Sequence, residues 1–178
     1  MSGHNKWSKI KNKKAVTDAV KSKIFSKMSK LIATASKQVR GDISSPILRA
    51  TIDKAKEYNM PIDNIERAIK KGLGVDAEAM ENIVYESYGP GGSALVIEAL
   101  TTNRNKAAQE VKHILANHGF ELAKQGSAMW AFSKNAETHE LEPTTIVPLS
   151  PEDGQKLESL IEELENNEEV QDVYTNAE

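Results

Sequence analysis

The chain has 178 residues, with 23 Lys and Arg against 26 Asp and Glu, a net charge of −3 and no cysteine. That length allows one large domain or two small ones, and the missing cysteines exclude disulfides, thiolate nucleophiles and Cys-based zinc sites. No apolar run of about 18 residues supports a membrane span and the N-terminus lacks the apolar core of a secretory signal, so a cytoplasmic protein is expected.

The net charge hides a polarity. Residues 1–40 carry eleven Lys and Arg against Asp18 alone, whereas residues 134–178 carry thirteen acids against Lys134 and Lys156. A basic end of this kind points to a polyanion, and phosphate is the commonest. The first stretch, Ser2 to Lys14, sets Lys6, Lys9, Lys11, Lys13 and Lys14 around one aromatic, Trp7. Two readings of Trp7 stand side by side: a ring stacked on a base, or a ring packed back on the helical domain.

From about Ala15 to Val39, apolar residues recur at Val16, Val20, Ile24, Met28, Leu31, Ile32 and Ala35, which predicts a helical face. Lys21, Lys23, Lys27, Lys30 and Lys37 decorate the rest, and Ser22 leaves open whether this is one helix or two. Gly41 ends the region. A further helix is expected from Ser44-Ser45-Pro46, burying Leu48, Ile52 and Ala55. Another is expected from Asp63 as cap with Glu66 three residues on, burying Ile65, Ala68 and Ile69 and closing at Gly72. Lys70 and Lys71 at its end suit dipole compensation better than a phosphate contact.

Residues 72–75 read as a linker, and the period then changes to that of strands at Ile83–Tyr88 and Ser93–Leu100 around Gly89-Pro90-Gly91-Gly92. This glycine turn joins strand to strand and lacks the spacing of a phosphate loop. Thr102-Asn103 caps a helix over about Arg104–His118, Met129–Phe132 and Thr144–Leu149 read as strands, Ser150-Pro151 opens a second helix and Val170–Tyr174 is a last strand. The expected fold class is therefore α+β. An all-helical N-terminal domain with its basic arm fills residues 1–73, and a ferredoxin-like βαββαβ domain with an extra N-terminal hairpin strand fills 74–178, with 133–143 a short linker.

Gly3-His4-Asn5-Lys6-Trp7, Lys23-Ile24-Phe25-Ser26-Lys27, the run from Asn59 to Gly72, Tyr85 to Gly92, and Leu100 to Asn105 together resemble the YebC/PmpR family of transcriptional regulators, which includes mitochondrial translational activators. The resemblance runs from Ser2 to about Phe132 and resumes from about Thr144 to Ala177. It implies control of gene expression, through DNA in some members and through the ribosome, including stalls at proline runs, in others. Members of that family usually carry a further α/β domain where this chain has only Ser133–Pro143, so the resemblance implies a shortened member.

The basic helices are almost all Lys, with Arg40 the only Arg before Arg49. Lys is a point charge suited to phosphate, whereas bidentate base reading favours Arg, so ribosomal RNA is the expected partner ahead of a DNA operator. The candidate nucleic-acid-contacting residues are His4, Lys6, Trp7, Lys9, Lys11, Lys13, Lys14, Lys21, Lys23 and Lys27. A third reading is an adaptor acting through the acidic end, where Glu158, Glu162, Glu163, Glu165, Glu168 and Glu169 read as a solvated face. His4, His113, His118 and His139 are scattered and form no catalytic or metal-binding pattern. No enzyme activity, cofactor, metal, membrane or small-molecule substrate is expected, and the pattern carries no signature of an oligomeric state.

Overall fold

The computed structural model describes residues 18–178 in two compact units, one ending at Met80 and the other running from Glu81 to Glu178. The first holds three helices: α1 (Asp18–Gln38), α2 (Pro46–Glu57) and α3 (Ile62–Leu73). Helix α1 passes through Ser22 unbroken. Its spacing of three and four places Met28, Ile32 and Ala35 on one face, where they pack with Leu48, Ile52 and Ala55 of α2 and Ile65 and Ala68 of α3.

Helices α1 and α3 approach closely because Gly72 has no side chain. A Cβ there would collide with the carbonyl oxygen of Ala33 and lie 2.9 Å from Ser36 Cβ. The fully buried Ser36 hydroxyl donates a 2.9 Å hydrogen bond to the Ile69 carbonyl, so the polar atom in this tight seam is satisfied. Gly72 thus lies inside α3, one residue before its end, and does not close it.

The helix starts differ from expectation in detail. Ser45 occupies the cap position of α2 with Pro46 in the first turn, but its side chain makes no capping bond. The turn before it is held instead by Asp42, whose carboxylate accepts from the Ser44 N–H at 2.9 Å and the Ser44 hydroxyl at 2.6 Å. For α3 the cap is Pro61, and Asp63, the expected cap, sits within the first turn. The fixed φ of proline already suits the entry to a helix, and a carboxylate inside the first turn still faces the electropositive end.

The second unit opens with strands β1 (Glu81–Tyr88) and β2 (Ala94–Thr101), antiparallel from Glu81↔Thr101 to Tyr88↔Ala94. Helix α4 (Arg104–Asn117) follows, capped by Asn103 Oδ1 accepting from the Lys106 N–H at 3.0 Å. Then come the short strands β3 (Phe132–Lys134) and β4 (Leu141–Pro143), helix α5 (Pro151–Asn166) and strand β5 (Val170–Thr175). Ser150 caps α5, its hydroxyl oxygen accepting from the Asp153 N–H at 3.1 Å. Val111 and Leu115 of α4 and Leu157, Leu160 and Leu164 of α5 bury one face of the sheet, over Leu95 and Ile97 of β2 and Val173 of β5.

The protein is α+β, with a helical first unit and a hairpin strand leading the second, and β2-α4-β3-β4-α5-β5 keeps the expected βαββαβ chain order. The pairing is distributed differently from a four-stranded sheet. The main sheet has three strands in the order β1-β2-β5, all antiparallel, while β3 and β4 form a two-stranded ribbon. Of the two further strands expected, Met129–Ala131 is a 3₁₀ turn, and Thr144–Leu149 makes only a parallel bridge between Val147 and Ala177. There the Val147 and Leu149 N–H groups donate to the Asn176 and Glu178 carbonyls, and Pro148 between them has no N–H to give.

The segment 133–143, expected as a linker, is this β3–β4 hairpin. Asn135 folds its turn: the side-chain oxygen accepts from the N–H groups of Glu137 and Thr138, and its own N–H reaches the Glu140 carbonyl at 2.9 Å. Phe132, Leu141, Ala128 and Ala131 pack on the other face of the sheet against Ala94, Val96 and Tyr174. Among the described residues no helix is long and apolar enough to cross a membrane.

Candidate nucleic-acid interface

Seven of the ten candidate residues, His4, Lys6, Trp7, Lys9, Lys11, Lys13 and Lys14, lie outside the described residues. The other three, Lys21, Lys23 and Lys27, stand on α1. At about 100° per residue, Lys23, Lys27, Lys30 and Lys37 fall within roughly 80° of one another on the helix surface. That stripe is turned away from Met28, Ile32 and Ala35, which enter the core. From Lys23 to Lys37 it extends on the order of 20 Å at the rise of an α-helix.

Lys21 points to a different side of α1 and is exposed because it stands in the first turn, before the buried residues begin. The structure therefore brings Lys23 and Lys27 together, adds Lys30 and Lys37 to them, and separates Lys21. The stripe ends in a fixed contact, with Lys37 Nζ donating to the Ala77 carbonyl at 2.6 Å. Lys70 and Lys71 occupy the last turn of α3, where an ammonium group faces the electronegative helix end.

The glycine turn Pro90–Gly92 is folded on itself. The N–H groups of Gly89, Gly92 and Ser93 bond to the carbonyls of Ser93, Gly89 and Pro90, so three donors that a bound anion would need are already used. Gly91 adopts φ +64°, and a Cβ there would collide with Leu149. The motif is thus a hairpin closure that glycine makes possible.

The acidic end is not uniformly a solvated face. Glu169 is buried and takes the Lys106 ammonium at 3.2 Å, which raises the pKa of that lysine. Glu163 meets His118 Nε2 at 2.7 Å. These acids tie α5 and the loop after it to α4, a role that helical periodicity alone does not reveal.

Glu86, Tyr88 and Trp130 gather at a place that neither periodicity nor charge marks, although Glu86 and Tyr88 fall within the run Tyr85 to Gly92. Glu86, on β1, is buried, and its carboxylate accepts from the N–H groups of Gly126 at 2.6 Å, Ala128 at 2.7 Å and Met129 at 2.9 Å. Burial pushes its pKa up, but the three amide donors outweigh that and hold it below the ordinary carboxylate value. The turn so held carries Trp130, 62% exposed, whose indole N–H donates to the Tyr88 hydroxyl at 3.2 Å. That hydroxyl in turn donates to the Ser127 carbonyl. An acid in a strand reads as solvent-facing and an apolar run reads as a buried strand, so the sequence conceals this cluster. Among the described residues no group of three or more His, Asp and Glu is gathered to hold a metal ion.

Residues 5–75 match the family model described as the TACO1/YebC protein N-terminal domain, and residues 80–139 and 134–177 match that of the TACO1/YebC second and third domain. A "Probable transcriptional regulatory protein" of Thermoanaerobacter pseudethanolicus is 37% identical over an alignment of 239 residues that takes in 100% of this chain and 97% of the relative. Its namesake in Halothermothrix orenii is 44% identical over 177 residues, 98% of this chain and 66% of the relative. One from Fervidobacterium nodosum is 51% identical over 136 residues, 75% of this chain and 54% of the relative. Among solved structures, that of a conserved hypothetical protein from Aquifex aeolicus superposes with a TM-score of 0.79 at 28% identity, over 90% of this chain and 91% of that one.

Proposed function

The chain belongs to the TACO1/YebC family, and from that premise we propose that it is a nucleic-acid-binding regulator of gene expression acting on translation, through ribosomal RNA. The observation that carries this reading is the Lys stripe of α1, Lys23, Lys27, Lys30 and Lys37, continuing a Lys-rich first stretch in which no Arg occurs before Arg40. Ammonium groups in a row follow a phosphate backbone by charge, without the bidentate geometry that reads base edges. Folded RNA presents such a backbone in dense and shaped form. The protein works by binding and not by catalysis, and its place is the cytoplasm.

The chain is a shortened member, with the β3–β4 turn standing where longer relatives continue into an additional domain. The two stretches matched to the second-and-third-domain model meet at this turn.

A second reading, a DNA-binding transcriptional regulator, is favoured by the names its relatives bear. One experiment separates the two. Ribosome co-sedimentation and ribosome profiling are set beside promoter occupancy in a deletion strain, with a variant carrying Gln at Lys6, Lys9, Lys11, Lys13 and Lys14. Release of that variant from ribosomes, together with altered pausing in the deletion strain, supports the translational reading. Sharp promoter peaks with unchanged pausing overturn it in favour of the transcriptional one.

A further inference from the structure

Trp130 stands out on the second unit as a large aromatic side chain that is 62% exposed and yet fixed in place. Its indole N–H is bound to the Tyr88 hydroxyl at 3.2 Å, and Tyr88 is bound to the Ser127 carbonyl of the same turn. The turn is pinned to β1 by three amide bonds to the buried Glu86 carboxylate. Both polar handles are therefore satisfied internally, and what remains for a partner is aromatic surface in a settled orientation. A rigid ring whose ordering is complete before binding loses little entropy on contact.

The charge around it selects the partner. The second unit carries six Lys and Arg against eighteen Asp and Glu, so most of its surface repels phosphate. The stretch 122–136 is an exception: it holds Lys124 and Lys134, on either side of Trp130, and no acid. The Glu86 carboxylate at this turn is buried and bonded, and Glu142, opposite Ser133 across the β3–β4 ribbon, accepts from the Asn135 side-chain amide at 2.8 Å. Two lysines in the stretch that presents the indole suit a base and its phosphates, and the exposed surface of Trp130 with its partner Tyr88 is small for a hydrophobic protein partner.

We propose that Trp130, positioned by Tyr88, is a stacking platform for an unpaired nucleobase, with Lys124 and Lys134 beside the flanking phosphates. This rests on the nucleic-acid-binding reading above and adds a second contact point, on the other unit from the Lys stripe. A paired base offers its face only to its neighbours in the stack, so a duplex does not fill the site.

The test uses the full chain. In a Trp7→Phe background Trp130 is the sole tryptophan, and its emission is followed as oligouridylate, the corresponding single-stranded DNA or a blunt RNA duplex is added. Affinities of the wild type, Trp130→Ala and Trp130→Phe are measured alongside by anisotropy, with circular dichroism as a check on folding. The expected result is quenching by single strands and not by duplex, a loss of about 5- to 150-fold in Trp130→Ala, and partial retention in Trp130→Phe. RNA and DNA arms of equal strength identify the base as the ligand, and a stronger RNA arm identifies the ribose as a further contact. If single strands bind but leave Trp130 emission and the Trp130→Ala affinity unchanged, the platform is overturned while the binding reading stands. It is overturned equally if, with those two readouts unchanged, a protein partner proves to shield Trp130 from acrylamide. Failure of the wild type to bind any of the three nucleic acids overturns both.

Discussion

Glu86 Oε2 accepts a 2.7 Å hydrogen bond from the N–H of Ala128, 42 residues further along the chain, so strand β1 directly holds the turn that displays Trp130. Because the folded pKa of Glu86 is depressed, the linked stabilisation is present in full above the unfolded carboxyl value of about 4.3. It is lost as pH falls through the lower folded value. Glu86→Gln is expected to cost about 1–3 kcal/mol at pH 7, and the gap to wild type should close on acidification from pH 5 to pH 3. Urea midpoints across that range provide the check, and a gap independent of pH would contradict the assignment.

Gly72→Ala places a methyl group against the Ala33 carbonyl and the Ser36 Cβ. Neither neighbour is a flexible side-chain end, so α1 and α3 must move apart. We expect a loss of about 1–3 kcal/mol. Ser36→Ala, which leaves the Ile69 carbonyl without its side-chain donor, should cost about 1 kcal/mol. Thermal unfolding of both and of the double variant should show coupling, since the two residues share one seam.

Nucleic-acid affinity should fall steeply with salt, and each stripe lysine changed to Gln should reduce the slope of log affinity against log salt by about 0.7 for a single strand. Lys23→Gln and Lys27→Gln should behave alike. Lys21→Gln, on another side of α1, should leave the slope nearer to wild type. Equal effects from all three would mean that general charge, and not the stripe, sets binding.

Trp7→Ala distinguishes the two roles open to that ring. Stacking on a base predicts a loss of about 1–3 kcal/mol in RNA binding with a cooperative, unshifted unfolding transition. A ring packed against the protein predicts instead a lower unfolding midpoint. Paired titration and melting curves on one preparation decide between them.

The helices are legible in the sequence because their signals are local and redundant. Met28, Ile32 and Ala35 repeat at helical spacing, and Asn103 and Ser150 make the capping bonds their residue types suggest. The strand pairing is less so. Phe132–Lys134 and Leu141–Pro143 are three residues each, too short for alternation to show. The apolar run at Met129 has the pattern of a strand, although it is a 3₁₀ turn held from a distance by Glu86. Of the candidate site, the clustering of Lys23 with Lys27 follows from helical geometry. Trp130 and Tyr88 meet only through tertiary folding, 42 residues apart, which no local pattern records.

The β3–β4 hairpin returns the chain close to where it left, with Lys134 paired to Leu141 across neighbouring strands. An insertion between Asn135 and Glu140 is therefore expected to leave the strand pairing in place, at the cost of the Asn135 side-chain bonds to Glu137 and Thr138. Lengthening a closed loop is thermodynamically cheap, about 0.6 kcal/mol for each doubling. The turn is a docking port in the engineering sense, where a fluorescent reporter or a transplanted domain can be carried as cargo while the scaffold beneath it folds as before.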